Sequence, residues 1–205
     1  AAGPFLYTGE PMRRACMAAG THYLDITGEI SLLRSARAYD EAARAKGVAL
    51  IPGVGFDVVP TNCLAQYVAG KVPGAVDLEI GVVGLTQPTA GTAKSMVEML
   101  PEDSGSVRRN GRLVPQALGQ GARQLRFPRG AVMAMPIPWG DLETAYWVTG
   151  IPNITCYMAV PGSVVPLARA AGPLLPKLLS IGPVRRAAVA LAGWASHGPS
   201  ASPRE

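Results

Sequence analysis

Two stretches hold the residues best suited to chemistry: residues 20–29 (GTHYLDITGE) and 52–61 (PGVGFDVVPT), each placed where a short apolar run ends. In the first, Asp25, Thr27 and Glu29 surround Gly28 with two carboxylates and a hydroxyl that could receive the hydroxyl or amide groups of a ligand. The same side chains could instead cap local backbone N–H groups, as Asx and ST turns do. In the second, Gly53 and Gly55 allow a sharp exit from a strand, Phe56 offers an aromatic wall, and Asp57 stands ahead of Pro60. Asp57 can meet a ligand or cap the helix that Pro60 opens, where the helix dipole favours a carboxylate. A third group, Trp139, Asp141, Glu143 and Tyr146 in WGDLETAY, sets aromatics beside carboxylates. Trp139 and Tyr146 could line an apolar substrate pocket, or close a sheet. Near the start, Gly3-Pro4 lets backbone pass close to a flat ligand.

These loops need elements to hold them. The pattern predicts a helix over 10–20, with Pro11 near its first turn and Gly20 as its stop, then a strand over 22–26. Ser31 is the expected N-cap of a helix running to Lys46, with Gly47 behind it, followed by a buried strand over 48–51 and a helix from Pro60 to Lys71. Helix, strand, helix, strand, helix is the pattern of a doubly wound parallel sheet met in its middle. Ligands bind such sheets at the carboxyl ends of the strands, where both loops fall. After Pro73 the reading changes to a strand over 76–85, a helix over 89–100, and an antiparallel stretch over 107–127 that turns at Asn110-Gly111. Strands over 131–137 and 153–160, a short helix over 141–147, and two proline-punctuated apolar helices over 162–195 complete it.

Composition narrows the classes. Of 205 residues, 48% are hydrophobic and 16% charged, which excludes a disordered chain. Residues 163–205 hold 5 cations and 1 anion, against a net charge of +5 for the whole. Arg169, Lys177, Arg185 and Arg186 lie among Leu, Val, Ala and Pro without interleaved aromatics, so nucleic acid is not expected and a lipid or partner surface is, unless the helices simply carry solvated arginines. Cys16, Cys63 and Cys156 are too scattered for a metal or disulfide pattern, and Cys16 and Cys63 read as small core residues. His22, at a strand start, reads as a packed core histidine. The charge-free run 144–168 is interrupted by Pro152, Pro161 and Pro166 and is not read as a membrane span.

Taken in order, AAGPFLYTGEP, GTHYLDITGE and PGVGFDVVPTNCLA, with IPWGD and TGIPN downstream, resemble the saccharopine dehydrogenase-like oxidoreductases over nearly the whole chain, and within them the bacterial trans-acting enoyl reductases. The resemblance implies an α/β fold: a partial Rossmann-like parallel sheet in 1–73, then a mixed α+β domain for substrate and dimerisation in 74–205. It places Ala2, Gly3 and Pro4, then Asp25, Thr27 and Gly28, then Gly53, Phe56 and Asp57 beside an NAD(P) cofactor. The family's G-x-G-x-x-G loop has no counterpart here, so the expectation is of a chain lacking about 75 upstream residues, or three βα units, and ending short of the family's closing elements. The implied activity is hydride transfer from NADP or NAD, NADP first, to a double bond in a hydrophobic or lipid-linked small molecule, with the chain alone inactive. No proton donor is singled out. The competing expectation is a non-catalytic module that meets lipid or a partner through 162–195. The expected setting is the cytoplasm, with contact to membrane and a homodimer among the expected associations.

Overall fold

The computed structural model describes residues 5–84, 94, 97, 98 and 105–195. Its elements run α1 (Phe5–Ala19), β1 (Tyr23–Leu24), α2 (Ile30–Arg37), α3 (Asp40–Ala45), β2 (Leu50–Ile51), α4 (Val59–Lys71), β3 (Asp77–Val82), β4 (Ser106–Arg109), β5 (Arg112–Pro115), β6 (Arg123–Phe127), β7 (Gly130–Pro136), α5 (Asp141–Thr149), β8 (Asn153–Ala159), α6 (Val164–Ala171), α7 (Leu175–Leu179) and α8 (Gly182–Ala195). The helix expected over 89–100 falls largely outside the described residues. The class is mixed α/β. β1 and β2 form a parallel pair, and the other strands a sheet of order β5-β4-β8-β7-β6, with β3 also on β8. The chain divides into two compact units.

The first unit comprises 5–80, 108–113 and 138–156 of the described residues. Phe5, Gly9, Arg13 and Met17 form the buried stripe of α1, four residues apart, so one face of the helix is inside. The helix begins earlier than the sequence predicts and Pro11 lies within it; Pro11 is exposed, so water can meet the carbonyl that it leaves free. Gly20, at φ 64°, ends the helix as expected, with the N–H of Thr21 returning 2.9 Å to the Cys16 carbonyl.

The single helix expected over 31–46 is two. Its N-cap position is Glu29, without a side-chain cap, and Ser31 lies inside α2. The break falls at Ala38–Tyr39, where N–H groups bond three residues back. Tyr39 is held from elsewhere: its hydroxyl donates to the Glu10 carboxylate and the Arg13 guanidinium lies 5.9 Å from its ring centroid. Those contacts from α1 fix the residue at which the helix tightens and restarts.

In β1 and β2, Tyr23 pairs with Leu50 and Leu24 with Ile51. Asn110 and Gly111, at φ 49° and 74°, make the two-residue turn that an Asn-Gly pair favours between β4 and β5. Arg108 pairs with Ile154, and α5 stops at Gly150, φ 69°. Leu33, Leu142, Ala145 and Ile154 are fully buried and centre the core of this unit.

The second unit comprises 81–84, 105–107, 114–137 and 157–195 of the fully described stretches. β6 and β7 form a hairpin from Arg123↔Ala134 to Phe127↔Gly130, and β7 continues onto β8 at Ala134↔Ala159. The region expected as two helices is three, because Gly172-Pro173 and Ser180 interrupt it and Pro176 and Pro183 open the next segments. Among the described residues, no helix is long and apolar enough to cross a membrane.

Candidate functional site

The carboxyl ends of β1 and β2 carry both loops, and Asp25 joins them. Its carboxylate accepts from the Tyr23 hydroxyl at 2.6 Å, the Thr27 N–H at 2.9 Å and the Gly53 N–H at 3.0 Å. Burial, and then Asp25 itself, push the Tyr23 phenol well above its ordinary range, so it remains a donor. Thr27 is buried, and its hydroxyl oxygen accepts the Glu29 N–H at 3.2 Å. Asp25 and Thr27 therefore spend their polar atoms on loop geometry, as an Asx turn and an ST turn.

Gly53 adopts φ 72° with the Thr27 carbonyl 3.2 Å from where a Cβ would lie, so the crossing needs glycine. Gly28 and Gly55 bracket the carboxylate of Asp57: a Cβ on Gly28 would collide with Asp57 Oδ2, and one on Gly55 would lie 2.8 Å from Oδ1. Asp57 is half-buried, and its pKa is raised, first by burial and then by the charge of Asp25. It does not cap α4. The N-cap position is Val58, without a side-chain cap, and the Gly55 carbonyl receives the N–H groups of Val58 and Val59 at 3.3 and 3.1 Å. Phe56 is 75% exposed beside it.

Trp139 arrives from the third group, its indole N–H donating 2.6 Å to the Asp57 carbonyl. Two residues on, Asp141 is fully buried in the first turn of α5. Its Oδ1 accepts from the Thr61 hydroxyl at 2.6 Å and the Asn62 amide at 2.8 Å, while that amide also donates to Thr144 at 2.8 Å. Asp141 Oδ2 and Asn62 Oδ1 have no hydrogen-bond partner among the described residues. Burial pushes the Asp141 pKa up to about 7, the Thr61 hydrogen bond opposes that, and the charge of Asp57 adds to it. The first turns of α4 and α5 are thus clasped around one carboxyl group.

Sequence reasoning named Asp141 without weight and passed over Thr61 and Asn62. The available signal was two helix starts, Pro60-Thr61-Asn62 and Gly140-Asp141, each with polar residues in the first turn; what joins them is tertiary. Tyr146 lies against the β4–β5 turn, with the Arg108 guanidinium 4.2 Å from its ring centroid. Glu143 pairs with Arg108 and, at 3.3 Å, with Arg34, and burial lowers the Arg108 pKa. Ala2, Gly3 and Pro4 lie outside the described residues. His22 is not a core residue: it is exposed, and its Nδ1 accepts the Ala49 N–H at 3.0 Å at the open end of the strand pair. Cys63 is likewise exposed rather than packed, because α4 buries only Ala65. Among the described residues, no three His, Cys, Asp or Glu side chains gather to hold a metal ion.

What the arrangement offers is acceptors: a half-open carboxylate between two glycines, and behind it a buried carboxyl with an unpaired oxygen. Such a surface receives N–H and O–H donors and repels phosphate.

No family model matches the chain. A saccharopine dehydrogenase-like oxidoreductase of Mus musculus is 37% identical over 75 residues, covering 36% of this chain and 18% of that protein. The protein of that name in Homo sapiens is 36% identical over the same shares. A Mycobacterium tuberculosis protein that carries the name of a trans-acting enoyl reductase is 39% identical over 79 residues, covering 37% and 19%. The likeness therefore spans about a third of the chain rather than nearly all of it, and less than a fifth of each relative. Over that stretch the chain is related to the saccharopine dehydrogenase-like oxidoreductases.

Proposed function

We propose that this relative of the saccharopine dehydrogenase-like oxidoreductases forms part of a nicotinamide-dependent reductase, with the ends of β1 and β2 as one wall of its cofactor cleft. The observation that carries the reading is the seating of Asp57 between Gly28 and Gly55, where added methyl groups would strike its carboxylate. Glycines at the carboxyl ends of parallel strands suit the close approach of a flat ring. Asp57 would accept from a carboxamide or ribose hydroxyl, with Phe56 and Trp139 beside it. The acidic surroundings suit the nicotinamide riboside end of a dinucleotide, since Asp25 and Asp57 would repel its pyrophosphate. When bound, NADP or NAD would supply the hydride; the protein's part is orientation and the exclusion of water.

On this reading, residues 1–73 belong to a Rossmann-like dinucleotide-binding domain and 74–205 to a substrate and dimerisation domain acting on a double bond of a hydrophobic or lipid-linked molecule in the cytoplasm. Calorimetric titration with NADPH and NADH, of this chain and of a form extended upstream in its gene, tests the proposal. The extended form is expected to bind, and Asp57→Ala to weaken binding about tenfold, the loss of one good hydrogen bond. Absence of binding by both forms overturns it.

A further inference from the structure

The last three helices bury Val165 and Leu179 but turn several other large apolar residues to the outside. In α8, Val184, Leu191 and Trp194 fall on one stripe at helical spacing, and all three are exposed, Trp194 at 79%. An apolar stripe on a helix of a globular domain ordinarily faces inward. The segment before it repeats the pattern: Leu174, Leu178 and Ile181, spaced four and three apart, are all exposed, and Leu167 of α6 is 69% exposed. Single exposed leucines are unremarkable, whereas consecutive helices that each leave large apolar residues outside mark a surface with a partner.

Charge identifies the kind of partner. Residues 163–195 contain Arg169, Lys177, Arg185 and Arg186 and no Asp or Glu. Lys177 and Arg186 are exposed, interspersed with the apolar residues; Arg169 directs its Nε–H to the Gly119 carbonyl at 3.0 Å. A second copy of the chain meeting this face symmetrically would oppose the same cations to one another. An anionic bilayer supplies what the face lacks: negative charge for Lys177, Arg185 and Arg186, an acyl boundary for the leucines, and an interfacial layer for the Trp194 indole.

We propose that α6, α7 and α8 form a peripheral docking surface for anionic lipid, resting on the bilayer interface. The inference is independent of the proposed reductase chemistry. Co-flotation of the 205-residue chain with vesicles of phosphatidylcholine alone, and of phosphatidylcholine with phosphatidylserine in equal parts, tests it. Capture by the mixed vesicles is expected, weakened by salt, and with the emission of Trp194 shifted to the blue relative to Trp194→Phe. Leu191→Glu with Trp194→Glu should cut capture at least tenfold. Lys177→Glu with Arg186→Glu should do so on the mixed vesicles while circular dichroism shows the helices intact, which separates lost docking from lost folding. Absence of capture overturns the proposal, as does equal capture by uncharged vesicles. A concentration-dependent dimer that Leu191→Glu with Trp194→Glu dissolves would also overturn it, assigning the face to self-association.

Discussion

The loops at the ends of β1 and β2 and the helices at the end of the chain treat polarity in opposite ways. In the first unit, Asp25, Asp141, Glu143 and Arg108 are buried, and each is held by hydrogen bonds that reach across the sequence. In the second, α6 to α8 leave leucines and a tryptophan in solvent and no carboxylate among them. Removing a partner from a buried charge is costly because the other charge has nowhere to go, while changing an exposed apolar side chain alters little in the folded chain. The contrast yields an ordered set of effects, from the buried pair that should matter most to the exposed helix that should matter least.

Arg108→Ala should have the largest effect. It removes the donor to the Leu142 carbonyl at 2.5 Å and to the Gly111 carbonyl at 2.6 Å, and leaves Glu143 buried with only the exposed Arg34. The expected loss is about 3–5 kcal/mol of stability, read from urea unfolding followed by circular dichroism. A loss under about 1 kcal/mol would show that the Arg108–Glu143 pair is solvated, and the contrast between the units would fail at its strongest point.

Asp141 sharpens the contrast through pH. Its folded pKa is raised to about 7, above the ordinary carboxylate value, so the folded state holds a proton that the unfolded chain has released. Stability is therefore fully present below about pH 4 with respect to this group, and is lost as pH rises through about 7, by on the order of 4 kcal/mol in total. Asp141→Asn should abolish that slope and raise stability at pH 8 relative to the parent. Melting temperatures measured between pH 4 and 8 read both; identical slopes in the two proteins would mean that Asp141 ionises freely.

This carboxyl also shows where the sequence stopped being legible. Local signals were sufficient for the two short strands β1 and β2, for α4 opening at Pro60, for the Asn110-Gly111 turn and for Gly20 as a helix stop, since each rests on preferences of neighbouring residues. The break between α2 and α3 was not legible, because it depends on Glu10 and Arg13 reaching Tyr39 from α1. Nor was the clasp of Thr61 and Asn62 on Asp141, whose members stand 80 and 79 positions apart. At the candidate site, residue types pointed to Asp57 and its glycines. Only tertiary structure shows that Asp25 is committed to tying the two loops together, that Gly55 and not Asp57 serves the start of α4, and that Trp139 holds the Asp57 carbonyl.

Gly53→Ala should come third. At φ 72° a Cβ is strained and would stand 3.1 Å from Leu33 and 3.2 Å from the Thr27 carbonyl, which Asp25 and Glu29 fix in place through the loop. The expected cost is about 1–2 kcal/mol in urea unfolding. Gly74→Ala, at φ 78° but with open space around it, is the control: a smaller loss there isolates crowding from backbone strain.

Leu191→Ser with Trp194→Ser should have the smallest effect, within about 0.5 kcal/mol by urea unfolding, because both side chains are mostly exposed in the folded chain. This near-null result is informative only beside the others. If the pair instead lost more than about 1 kcal/mol, the outward stripe of α8 would be covered in solution. Repeating the measurement across protein concentrations would then assign the cover, since a loss that shrinks on dilution of the parent belongs to contact between copies. A loss that is independent of concentration belongs to the chain itself, and the opposition between the buried charges of the first unit and the exposed apolar stripe of α8 would have to be withdrawn. Stability unchanged by the serines, together with vesicle capture abolished by them, is the one combination in which that apolar surface serves docking rather than folding.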